Sequence, residues 1–156
     1  PTNSDPRTLR DVTRPALAVG AARGGRKPED VAIHACPFIV TGRNPAELAA
    51  AREVVRETLT FLYSTPAYWP ALVHHGWGEV GEQLHRLTRA GAWQEMRGLV
   101  SDAMLAQLVP QAGYDEIADV LLEWYGGLAT RIAFPLPADP AHDVAIAKVV
   151  ARLRAA

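Results

Sequence analysis

The sequence predicts an α/β chain, mostly helical, with about two short strands in parallel βα order. Three observations carry this. Two short, continuous apolar runs, VAIHACPFIVTG at 31–42 and ATRIAFPLP at 129–137, are bounded by Pro and Gly. Apolar residues recur at three- and four-residue spacing through most of the remainder. The order helix, strand, long helical stretch, strand, helix separates the strands by helices, as parallel pairing requires.

Ser4-Asp5-Pro6 marks a helix start: a capping side chain, then a proline whose fixed φ suits the first turn. The helix is predicted over 6–23, with Leu9, Val12, Ala16, Leu17 and Val19 on its buried side. Pro15 should kink or break it, and Gly24-Gly25 should end it. The run at 31–41 reads as a strand buried on both faces, with Pro37 forcing a bulge or an irregular approach to residues 38–41. Asn44-Pro45-Ala46-Glu47 opens a helical insertion over 44–112. There Asn44 should accept from the Glu47 amide and Glu47 should reach back to the Asn44 amide. The first helix of the insertion runs to about Tyr63, with Leu48, Ala51, Val55, Leu59 and Leu62 on one face. Val80, Leu84 and Leu87 mark a second helix, and Trp93, Met96, Leu99 and Val100 a third. Met104, Leu105 and Leu108 mark a shorter one within 101–109. After Gly113 a helix is predicted over 114–125 through Ile117, Val120, Leu121 and Trp124, ending at Gly126-Gly127. A strand follows at 129–135. Asp139-Pro140 then opens a last helix over 140–155 with Val144, Ala147, Val150 and Leu153 inward. The whole of 1–156 reads as a single domain.

The charge balance excludes some function classes. With 16 Lys+Arg against 17 Asp+Glu and a net charge of −1, no basic stripe offers itself to nucleic acid. The longest uncharged run, 58–78, holds Pro66, Pro70, His74 and His75 and is too broken and polar for a transmembrane helix. One cysteine, Cys36, leaves no internal disulfide and suits a reducing cytoplasm. In its apolar strand it reads as a small buried hydrophobe with no base placed to activate it.

The stretch STPAYWPALVHHGWG, 64–78, concentrates aromatics, histidines, prolines and glycines. Ser64-Thr65-Pro66 reads as a cap restarting a helix after Tyr63. Gly76 permits a tight corner, with Trp77 as its packing plug. Adjacent helical histidines diverge by about 100°, so His74 and His75 do not easily share an ion, and neither a cysteine nor a carboxylate stands nearby at ligand spacing. A histidine reaching a pocket or capping a helix end is the better reading. At Gly113-Tyr114-Asp115-Glu116 the two carboxylates complement a helix dipole and would repel an anion.

Taken in order, several segments resemble the C-terminal part of the luciferase-like monooxygenase family, of the actinobacterial class that uses the deazaflavin coenzyme F420. SDPRTLRDVTRPALAVGAARGGR is similar to the helix after barrel strand six, IHACPFIVTG to strand seven, and GYDEIADVLLEWYGGLATRIAFPLP to the last crossover helix and strand eight. STPAY and HGW within RETLTFLYSTPAYWPALVHHGWGEVGEQL, and the GAWQEM and VSDAML segments, are similar to the helices between. The Gly113–Glu116 turn departs from the family pattern by lacking a hydroxyl residue and a Pro, which puts in doubt any role of that turn in holding an anion.

The resemblance implies the last two strands of a TIM-like (β/α)8 barrel, a fold that takes roughly 250 residues when complete. It also implies a hydride transfer to or from an organic substrate, with FMN monooxygenation as the alternative cofactor chemistry. In this family the ring sits largely against strands one to six, so a chain of this length beginning at Pro1 is expected to be a fragment, inactive alone. Its partners would be a small-molecule substrate and the missing half of the barrel or a second copy. The insertion follows strand seven at its C-terminal, functional end. That places Thr41, Ser64, Thr65, Tyr68, His75 and Trp77 as candidate pocket and cofactor-binding residues, whereas Arg131 opens its strand and reads as structural. A different class of reading is a stand-alone helical module that binds a partner or apolar ligand through the 63–77 region.

Overall fold

The computed structural model describes residues 5–156. Ser4 lies outside them, and Asp5 makes the first cap, its Oδ1 accepting from the Thr8 amide at 2.9 Å. Helix α1 (Pro6–Thr8), a π-helical turn (Leu9–Thr13) and α2 (Arg14–Arg23) follow without a break. Pro15 does not end the helix. The wide turn before it leaves the ring in the first turn of α2, where its missing N–H costs nothing. That turn also shifts the helical phase, so Leu9 is buried while Val12, Ala16 and Val19 face outward and Leu17 is half-buried. The predicted buried side therefore fails beyond its first residue.

Two strands, β1 (His34–Ala35) and β2 (Arg131–Ile132), pair in parallel with His34 opposite Arg131. Both are shorter than predicted. Pro37 interrupts the first run, and its far end pairs elsewhere: Val40 forms a parallel bridge with Gln111, donating to Pro110 and accepting from Ala112. Burial on both faces does not hold at β1, where Ala35 is buried but His34 and Cys36 are exposed. Only one side of the two-stranded sheet is covered, so the cysteine predicted inside stands outside.

Extended backbone sends neighbouring side chains to opposite faces, and this divides the core. Ile39 packs with Leu9, Tyr114, Ile117, Leu121, Ile146 and Val149, whereas Val40 packs with Val55, Leu59, Tyr63, Leu84, Val100 and Leu105. The second group belongs to the insertion. Helix α3 (Pro45–Tyr63) begins as predicted, with Asn44 Oδ1 accepting from the Glu47 amide at 3.0 Å. Glu47 does not reach back to Asn44. Its carboxylate takes the Arg43 amide and guanidinium instead, because the charged donor binds it more strongly. A 3-10 turn (Pro66–Tyr68) leads into α4 (Trp69–His74) and α5 (Gly78–Arg89).

The predicted third helix of the insertion is only a 3-10 turn at Trp93–Met96. Trp93 is exposed there, while Met96 and Val100 are buried. Ser101 caps α6 (Asp102–Leu108), accepting from Met104 at 3.2 Å. Helices α7 (Ile117–Tyr125) and α8 (Asp143–Arg154) pack together, α8 being preceded by the 3-10 turn Pro140–His142 that Asp139 caps. The predicted inner face of α8 is one step out of register: Ile146 and Val149 are buried, Val150 and Leu153 half-buried, and Val144 and Ala147 exposed. Both lines obey the helical period, and only the position of α7 selects between them. Among the described residues no helix is long and apolar enough to cross a membrane.

Candidate functional site

Two regions compete for the site. The first is the corner formed by residues 63–78. Gly76 has φ 82°, and the amides of Gly76 and Trp77 return to the carbonyls of Val73 and Leu72 at 3.0 and 2.8 Å. This pattern ends a helix with a residue in the left-handed region, where any Cβ is disfavoured, so the corner requires its glycine. Pro66 starts its turn as predicted, but neither hydroxyl before it caps that turn: Ser64 Oγ donates back to the Phe61 carbonyl at 2.7 Å. Ser64 is buried and Thr65 exposed. Tyr68 and Trp77, both half-buried, pack against the insertion core. Trp69 donates from Nε1 to the Tyr63 carbonyl at 2.8 Å and sets its edge against His85, which bonds the Ser64 carbonyl at 2.9 Å.

The two histidines take separate partners on the first helix. His75, with 2% of its side chain exposed, lies 3.0 Å from Asp5 Oδ1 and stacks on Trp77 at 4.9 Å with 12° between the rings. His74 lies 3.1 Å from Asp11 on the more exposed side. Their planes stand at 82°, so the pair acts as two pins holding the start of the first helix to the corner. Sequence spacing showed no carboxylate near them, because Asp5 and Asp11 arrive only through the fold.

The second region is a cavity of about 770 Å³ outside the carboxyl end of the first apolar run. Val40, Gly42 and Arg43 line it from the strand exit, Arg52 from α3, and Tyr114 and Glu116 from the approach to α7. Arg43 holds Glu47 at 2.6 Å, and the hydrogen bonds from its guanidinium and amide pull that carboxyl down from 4.5 to about 2. Tyr114 shares a hydrogen bond of 2.9 Å with His142 Nδ1, and burial raises its phenol above the ordinary value. The cavity thus presents guanidinium, carboxylate and phenol groups on an apolar floor, a lining suited to a polar organic ligand. Thr41 stands between two lining residues, half-buried, with its Oγ1 unpaired among the described residues. None of the six candidates lines the cavity itself, and the other five gather at the corner. Sequence reasoning passed over Arg52 and Tyr114. The Gly42-Arg43-Asn44-Pro45 exit was the available signal, since a strand leaving through Gly into a capped helix marks the functional end of a βα unit.

An NMR titration of the Glu47 carboxyl should give a midpoint near 2 rather than 4.5. Because the folded-state value is depressed, the associated stabilisation is present above pH 4.5 and lost as pH falls through about 2. In Arg43→Ala the midpoint should return towards the ordinary carboxylate range, and an unchanged midpoint would refute the assignment.

The parallel pair of short strands set among helices, with a cavity beyond the end of the first apolar run, defines the class: a mostly helical α/β chain. The chain belongs to the luciferase-like monooxygenase family, whose profile matches residues 2–131. It is 39% identical over 126 residues to uncharacterized proteins of Mycobacterium bovis and of two strains of Mycobacterium tuberculosis, an alignment covering 81% of this chain and 37% of each of those. The chain therefore spans well under half the length of the curated relatives it matches.

The described residues do not by themselves fit a whole flavin or deazaflavin. One face of Trp77 is covered by His75, Tyr68 is packed into the insertion core, and the cavity wall offers Tyr114 beside the carboxylates of Asp115 and Glu116. A flat ring with an anionic tail needs stacking surface and several cationic or amide donors free of other partners, whereas Arg43 is engaged by Glu47 and Arg52 by Asp102, leaving only the Arg52 Nε without a partner among the described residues.

Proposed function

We propose that this chain is the C-terminal part of a luciferase-like oxidoreductase. The complete protein would transfer a hydride between the deazaflavin coenzyme F420 and an organic substrate in the cytoplasm, with FMN and a monooxygenation as the alternative. The chain supplies barrel strands seven and eight with their crossovers, and strands one to six complete the ring site. The observation that supports this most directly is the parallel pairing of β1 and β2 across a long helical stretch, in a chain whose residues 2–131 match the family. Thr41, beside the cavity, is the residue proposed to meet the ligand. Ser64, Thr65, Tyr68, His75 and Trp77 are proposed to form the helical wall beside the barrel mouth.

The test is titration of the full-length protein with F420 and, separately, with FMN, following the absorbance of each ring. Saturable F420 binding, with FMN at least about tenfold weaker, is expected. Thr41→Val should weaken binding several-fold by removing one hydrogen-bonding group. A preference for FMN moves the reading to the monooxygenase alternative. Binding of neither removes the enzyme reading and leaves the helical binding module.

A further inference from the structure

We propose that the cavity outside the first apolar run takes a small monocarboxylate with an apolar body, and that Arg52 is the residue that selects its charge. This deepens the oxidoreductase reading by naming a substrate class, and rests on that reading only for the ligand's role as substrate. At about 770 Å³ the cavity has the size of a site for a small organic molecule. Val40 at the strand exit, Leu48 and Ala49 on α3 and Ala145 on α8 supply the apolar part of its lining.

The charges of the lining select the ligand. Arg52 Nε is buried without a hydrogen-bond partner among the described residues, and a buried donor left unpaired costs about 1–3 kcal/mol. Its Nη2 meets Asp102 at 3.4 Å, but that carboxylate is 70% exposed and is held more closely by Arg56. Arg52 therefore keeps donors for a further acceptor. A carboxylate suits them best, because its two oxygens match the planar fork of a guanidinium. Asp115 and Glu116 line the cavity from the approach to α7 and repel a second negative charge. One carboxylate on a neutral chain meets both conditions, whereas a dianion or a phosphate-bearing tail does not. An ammonium ligand meets Asp115 and Glu116 only at exposed, hydrated positions and leaves the buried donor unsatisfied.

The experiment is calorimetric titration of the full-length protein with hexanoate, hexanamide and hexylammonium at fixed ionic strength. Hexanoate is expected to bind saturably, at least about tenfold more tightly than either of the others, the worth of one charge-assisted hydrogen bond. Arg52→Gln should abolish that preference and leave hexanoate no tighter than hexanamide. Ala49→Phe, at an exposed position of α3, should weaken hexanoate by filling the cavity. It keeps the test decisive if circular dichroism shows that Arg52→Gln does not fold. No hexanoate binding overturns the proposal, and so does hexanoate binding unchanged in the folded variants, which must use another site. Equal binding of hexanamide, or tighter binding of hexylammonium, overturns it too. An F420 titration of the same unsubstituted protein separates the two readings. A protein that saturates with F420 but ignores hexanoate overturns this inference alone. One that binds hexanoate through Arg52 but neither F420 nor FMN upholds the carboxylate site and removes the enzyme reading.

Discussion

Asp5→Ala is expected to lower the stability of the fold by about 2–4 kcal/mol, because a buried imidazole loses its hydrogen-bond partner and α1 loses its cap. Asp5 is 0% exposed, and one oxygen serves two elements, accepting from the Thr8 amide at 2.9 Å and meeting His75 Nε2 at 3.0 Å. Its loss leaves a buried imidazole without its carboxylate and uncaps α1, the second effect alone being worth about 1 kcal/mol. Asp5→Asn keeps an acceptor for the Thr8 amide and should lose less. His74→Ala is the internal comparison. Its pair with Asp11 sits on the surface, 25% and 42% exposed, and surface pairs contribute about 0–1 kcal/mol. The measurement is the urea midpoint of each variant, with the slope monitored for two-state behaviour. If Asp5→Ala and His74→Ala shift it equally, His75 does not pin the first helix as the geometry indicates.

Gly81→Ala is expected to destabilise by about 1–2 kcal/mol, against the direction that helix propensity predicts. Gly81 lies inside α5, where alanine is ordinarily better than glycine by about 1 kcal/mol. A Cβ there would stand 2.8 Å from both Cδ1 and Nε1 of Trp69. The indole cannot easily retreat, since its Nε1 is bonded to the Tyr63 carbonyl at 2.8 Å and its edge meets His85. Overpacking of a fixed group costs about 1–3 kcal/mol, which exceeds the propensity gain. The same urea series decides the sign. A more stable Gly81→Ala would mean that Trp69 moves freely and that the corner is not rigidly packed. Adding Trp69→Ala, which removes the clashing ring, should relieve most of the Gly81→Ala penalty beyond the cost of Trp69→Ala alone.

The sequence by itself determined what depends on a few neighbouring residues. Asn44-Pro45, Ser101 and Asp139-Pro140 each began a helical element where expected, because caps are satisfied within three residues. Gly76 turned the predicted corner, since only the backbone of that residue has to adopt positive φ. The parallel order of β1 and β2 followed from the helices between them, and the ordered segments carried the family.

Tertiary structure alone decided what depends on distant partners. It put Val40 beside Gln111, so that one predicted strand became two short pairings on either side of Pro37. Packing against α7 chose Ile146 over Val144 as the inward line of α8, two choices that the helical period cannot separate. It exposed Cys36 and Trp93, because burial requires covering chain and not merely an apolar side chain. The candidate site divides in the same way. Thr41 needs only its chain neighbours Val40 and Gly42 to stand beside the cavity, whereas the carboxylates that fix His74 and His75, and the cavity shared by Arg52 and Tyr114, exist only once residues 62 or more positions apart are brought together.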